Sequence, residues 1–197
     1  MTGKLRQMLV DKSALEEIRV AKMMMESSTG KRVTSRDVIE EFVGKRVRFL
    51  NLRREIRSYI NGFVDRVVRN ENVIGVMLFG SVARGSYKKE SDVDVLLAVR
   101  GDVMDAIEEI EKTIDEVEEL RTPLVADGFY LRIRPLILSK ADLKAFRPIY
   151  LNIIGEGIVL FERGESLTNF IGDVKRNVEW RKEIIEDGLV IRWKIRA

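Results

Sequence analysis

The stretch from Val73 to Val99 constrains the fold of this chain more than any other. Val73 to Phe79 is an uncharged run of β-branched and apolar residues, the pattern of a strand buried on both faces. Val93 to Val99 reads as a second strand, and alternation at its head sets Asp92 and Asp94 on one face and Val93 and Val95 on the other. Between the runs lies Gly80-Ser81-Val-Ala-Arg84-Gly85. Gly80 allows a tight turn and a close backbone approach because it has no Cβ. Ser81 then opens a short helix, whose free N–H groups and hydroxyl suit a phosphate. Two carboxylates on one strand face can hold hard divalent cations, with phosphate oxygens completing the shell. Carboxylates facing a phosphate cradle suit metal-assisted in-line displacement.

Composition removes the main competitors to such a site. The chain has no cysteine and no histidine. That excludes disulfide frameworks, zinc knuckles, thiol nucleophiles, Ser-His-Asp triads and imidazole ligands. Any active site must therefore use carboxylates, hydroxyls, Lys or Arg, and backbone amides. No apolar run reaches the length of a membrane span and the N-terminus lacks a signal-like stretch, so a soluble cytoplasmic protein without membrane contact is expected. Residues 1–60 hold fourteen Lys and Arg against eight acids, whereas the whole chain nets only +3. A basic front end fits either a nucleic-acid partner or a solvated helix surface.

The remaining periodicities alternate helices with strands. Leu52, Ile56, Ile60, Phe63 and Val67 form one helical stripe, which Asn70-Glu-Asn72 ends. Val103, Ile107, Ile110, Ile114 and Val117 form another, closed by Arg121-Thr-Pro123. A third strand is expected over 129–138, a helix interrupted by Pro148 over 141–154, and a short strand over 158–161. A helix over 167–185 and a final strand over 189–195 complete the reading. This order indicates a mixed α/β or α+β domain.

Gly80-Ser81, then Ser91-Asp92-Val-Asp94, resembles the GS-x10-D-x-D signature of the DNA polymerase β-like nucleotidyltransferases. It is most similar to the minimal nucleotidyltransferases of archaea and bacteria, where GSxARGxxxxxSDxD is typical. The resemblance implies their fold, a mixed sheet flanked by helices, for residues 46–164, with residues 1–45 as an extension and 165–197 as a C-terminal helix and strand. It further implies that Gly80, Ser81, Arg84 and Ser91 bind the nucleotide. Asp92 and Asp94 would be catalytic and bind Mg²⁺, two ions being expected, with ATP or another triphosphate as substrate. Arg84 suits either phosphate or a helix-surface salt bridge, and Lys88 and Lys89 suit either substrate phosphate or a solvated loop. Active members commonly take a third carboxylate from a neighbouring strand, where this chain has Arg132 and Arg134. Asp127 is the nearest acid and the candidate for that role.

Residues 4–45 resemble a ribbon-helix-helix fold: a short apolar segment (Leu5 to Val10), a helix capped near Ser13 with Glu16, a break at Ser27-Ser-Thr-Gly30, and a second helix opening at Thr34 with Asp37. Such a fold pairs two chains and places a β-ribbon in duplex DNA, so a homodimer and a DNA contact through residues 1–45 are expected alternatives to a helical hairpin. Two readings of function follow. One is a transferase that moves a nucleoside monophosphate, AMP in the first instance, to an acceptor hydroxyl, including one on a toxin-like partner protein in an antitoxin-like role. The other is a DNA- or partner-binding regulator whose transferase site binds nucleotide without turnover.

Overall fold

The computed structural model describes residues 48–185 and 188–195, with isolated positions before them (Lys22, Glu26, 32–35, Val38 and Lys45); side chains are described as far as Arg176. The chain divides into two compact units, residues 1–44 and 45–197. In the first unit Val33 and Val38 are buried, and the Val38 N–H donates to the Thr34 carbonyl at 3.2 Å, one helical turn. The apolar segment expected over 5–10, the helix following Ser13 and the ribbon they would form lie outside the described residues.

The second unit is built on a four-stranded sheet with the order β3-β2-β1-β4. Its strands are β1 (Val73–Phe79), β2 (Asp92–Val99), β3 (Arg132–Ser139) and β4 (Ile158–Glu162). β1 runs antiparallel to both β2 and β4, and β2 runs parallel to β3. The sheet is therefore mixed, with helices on both sides, an α+β arrangement as expected.

One face of the sheet rests on α1 (Arg54–Val67) and α3 (Val103–Glu116). Ile56, Tyr59, Ile60, Phe63 and Val67 recur at helical spacing and are buried against Val76, Leu78, Val93, Val95, Leu97 and Val99. The Tyr59 hydroxyl accepts from the Ile133 N–H at 3.4 Å, tying α1 to β3. In α3 the expected stripe faces the core, with Ile110 buried, Val103 and Ile114 packed against it and Val117 buried just beyond the helix, while Ala106 and Thr113 widen the buried face. The chain also stays helical beyond Glu116, through a 3₁₀ turn (Glu118–Arg121) and α4 (Thr122–Ala126), where Pro123 sits in the first turn. Proline is tolerated there because the N–H it lacks has no intrahelical acceptor.

The other face carries a second core of Ile74, Met77, Leu96, Ala98 and Leu138 under α5 (Lys140–Lys144), α6 (Ile149–Glu156) and α7 (Ser166–Asn177). Ser139 and Asp142 form a capping box at α5. Pro148 separates α5 from α6, as its missing N–H requires. Leu167, Phe170 and Val174 of α7 close this core. The helix expected to continue to Ile185 ends at Asn177, and the chain turns into a hairpin of β5 (Val178–Ile185) and β6 (Gly188–Ile195), with Ile185 opposite Gly188. Among the described residues no helix is long and apolar enough to cross a membrane.

Candidate active site

The second core does not cover its whole face of the sheet. At the head of β2, Asp92 and Asp94 share the face of Leu96 and Ala98, but they are only half-buried. Val93 and Val95, on the opposite face, are fully buried. This alternation fixes where both carboxylates point.

α2 (Gly80–Arg84) begins directly beside them. Phe79, the last residue of β1, stands opposite Asp94 in the ladder, so the turn at Gly80 rises next to the Asp94 side chain. Gly80 has φ +74°, and a Cβ there would collide with the Asp94 carboxylate. Both facts require glycine. Val82 and Ala83 anchor α2 in the first core, and Gly85 in the left-handed conformation ends it.

The register on the other side of β2 decides the electrostatics. Asp92 lies opposite Arg132 and Asp94 opposite Arg134, with Ile133 buried between the two arginines. Arg132 and Arg134 therefore stand on the carboxylates' face. Arg134 Nε is 3.3 Å from Asp92 Oδ2 in an exposed ion pair. Asp94 is held above the ordinary carboxylate pKa, first by partial burial and then by Asp92, with Glu156 adding to the effect and Arg134 and Arg84 opposing it. Two repelling carboxylates, one of them partly desolvated, form a hard-oxygen pair whose repulsion a divalent cation would relieve. The pair thus fits a cation, provided that water or phosphate supplies the remaining ligands.

Sequence reasoning missed Glu156. Its carboxylate at the end of α6 accepts from the Gly80 N–H at 2.9 Å and pairs with Arg84. An anion already engages the amide and guanidinium singled out for phosphate. The only sequence signal was an acid beside Gly157, too common to identify a function.

The remaining candidates are placed as follows. Ser81 is half-buried in the first turn of α2, and its carbonyl accepts from the Ser86 N–H at 3.0 Å. The Ser91 hydroxyl accepts from the Lys88 N–H at 2.8 Å, shaping the turn into β2. Lys88 and Lys89 line an open depression with Glu90 and Ser91. Asp127 caps the end of α4 and pairs with Arg53, whose guanidinium lies over the Phe129 ring at 4.7 Å. Among the described residues no three acids gather closely enough to hold a metal ion, so Asp127 is not brought to Asp92 and Asp94.

Residues 60–146 match the family model described as a nucleotidyltransferase domain. The matched segment, which holds β1, β2 and β3, is thus similar to a nucleotidyltransferase domain. Its mixed sheet flanked by helices is consistent with the polymerase β-like fold and with the minimal nucleotidyltransferases. A curated protein of Methanocaldococcus jannaschii named "Putative protein adenylyltransferase" is 27% identical over 130 residues, which cover 64% of this chain and 82% of that protein. One solved structure, a toxin-antitoxin with AMP-PNP, aligns at 17% identity and a TM-score of 0.36, covering 58% of this chain and 81% of the other. That likeness is too loose to bear on function.

Proposed function

We propose that this nucleotidyltransferase domain moves a nucleoside monophosphate, AMP from ATP, to a hydroxyl group on a partner protein. The observation that carries the reading is the placement of Asp92 and Asp94 on one strand face beside the Gly80 turn, which approaches Asp94 so closely that a Cβ at residue 80 would collide with its carboxylate. In this reading Asp92 and Asp94 hold Mg²⁺, and Gly80, Ser81 and Arg84 receive the triphosphate after Glu156 yields its contacts. The cation would supply Lewis-acid neutralisation of the phosphate oxygens. The acceptor oxygen bonds to the α-phosphorus, the bond from that phosphorus to pyrophosphate breaks, and the hydroxyl proton passes to solvent. The resemblance to a protein named as an adenylyltransferase supports both AMP and a protein acceptor.

The test is transfer of label from ATP carrying it at the α-phosphate, compared with ATP carrying it at the γ-phosphate, using proteins that co-purify with the full chain as acceptors. Mg²⁺-dependent labelling from the α-position alone supports the reading. Labelling from the γ-position would reassign the chemistry to phosphoryl transfer.

A second reading, nucleotide binding without turnover in a DNA- or partner-binding regulator, is favoured by Arg134 paired with Asp92 and by Glu156 on the Gly80 amide. It predicts saturable ATP binding with no α-label transferred to any acceptor.

A further inference from the structure

We propose that the site takes one divalent cation with its nucleotide, and that the Arg134 guanidinium supplies the positive charge a second cation would otherwise bring. This rests on the nucleotidyltransferase reading and deepens it. Displacement at a triphosphate builds negative charge on the α-phosphate oxygens and on the departing pyrophosphate. Sites with two cations meet that charge with ions about 3.5–4 Å apart, one toward the attacking oxygen and one toward the leaving oxygen. Each ion needs its own hard-oxygen ligands in near-octahedral order.

This site has ligands for one. Asp92 and Asp94 converge, and among the described residues no third acid joins them. The strand that could bring one, β3, runs parallel to β2 and sets Arg134 directly opposite Asp94. Because Ile133 is buried on the far side, Arg134 shares the carboxylates' face. Its Nε lies 3.3 Å from Asp92, and its charge also acts on Asp94. A second dication would have to settle beside this permanent cation, which repels it, and Glu156, whose charge also reaches Asp94, is already engaged by the Gly80 N–H and Arg84.

The geometry also leaves Arg134 available to a phosphate. Its side chain is 73% exposed and its partner Asp92 is 44% exposed. Ion pairs this exposed are weakly held. The contact is made through Nε, and the terminal nitrogens of so exposed a guanidinium can present two parallel N–H groups to phosphate oxygens. A guanidinium placed there stabilises charge that develops on the phosphoryl group, and it accepts no proton in any step.

Counting bound Mn²⁺ by electron paramagnetic resonance tests this, using the full chain and an equimolar non-hydrolysable ATP analogue at concentrations well above the dissociation constant. Wild type should bind one Mn²⁺ per chain. Arg134→Asp, which places a carboxylate opposite Asp94, should bind two. Arg134→Gln should weaken analogue binding about tenfold, and Arg134→Lys should recover part of it. The exposure of Arg134 means that all three variants should fold, which circular dichroism checks. Two Mn²⁺ in wild type, or unchanged analogue affinity in Arg134→Gln, would overturn the inference while leaving the transferase reading intact. If wild type binds no analogue at all, the transferase reading falls and takes the inference with it.

Discussion

The two faces of β2 carry the same alternation to different ends. Val93, Val95, Leu97 and Val99 are fully buried beneath α1 and α3. On the reverse, Leu96 and Ala98 are buried under the second layer of helices, whereas Asp92 and Asp94 lie beyond that cover and keep partial access to water. A strand can hold two ionised groups only where the layer above it stops, because a buried unpaired charge costs several kcal/mol. The covered face gives the strand its stability, and the uncovered end gives it chemistry.

The largest effect should come from breaking that asymmetry. Val95→Asp places the chemistry of Asp94 one residue away on the covered face. It should cost about 3–5 kcal/mol or more, as an uncompensated buried charge does. Circular dichroism and urea unfolding would report a largely unfolded chain, and native-like stability would mean that the face is not sealed.

Gly80→Ala probes the junction between β1 and the carboxylates. The left-handed backbone and the collision with Asp94 should together cost about 1–3 kcal/mol and abolish nucleotide binding. Urea unfolding paired with nucleotide titration checks both parts.

Glu156→Gln should work in the opposite direction. Without its negative charge, the contact with Gly80 and Arg84 competes less well against a triphosphate. An analogue should bind about tenfold more tightly, in line with the 1.5–3 kcal/mol typical of a hydrogen bond to a charged group. Calorimetric titration decides, and weaker binding would show that Glu156 supports the nucleotide site.

The smallest effect concerns Asp94 itself. Its pKa is raised in the folded chain, so the folded state binds the extra proton and loses stability as pH rises from the unfolded value of 3.8. Asp94→Asn, measured without metal, should therefore raise Tm near neutral pH and not at low pH. Because the group is only partly buried, solvent screening keeps the gain below about 1 kcal/mol, or about 2–4 °C. A lower Tm at pH 7 would contradict the electrostatic picture of the site.

What could be read from the sequence was what local pattern encodes. β1 spans Val73–Phe79 as its apolar run indicates, and β2 differs from its expected bounds only by beginning at Asp92. The stripe of α1 is buried as spaced, because every third or fourth residue is apolar. Of the C-terminal hairpin, β6 follows its expected bounds but β5 was not legible: Val178–Ile185 continues the helix-forming composition of α7, and its strand character depends on pairing with 188–195. At the site, the carboxylate pair and the Gly80 turn follow from two-residue alternation and from the absence of a Cβ. The Arg134–Asp92 pair depends on the register between two parallel strands, and the Glu156–Gly80 contact links residues 76 apart in the chain. Neither leaves a local signal.

The most direct test of the metal–triphosphate site is calorimetric titration of a non-hydrolysable ATP analogue into the full chain, with and without Mg²⁺, for wild type and Asp92→Asn/Asp94→Asn. Wild type should bind saturably with Mg²⁺ and far more weakly without it, and the double variant should lose the Mg²⁺ dependence. Equal Mg²⁺-dependent binding by both proteins would show that the cation and the triphosphate are held elsewhere.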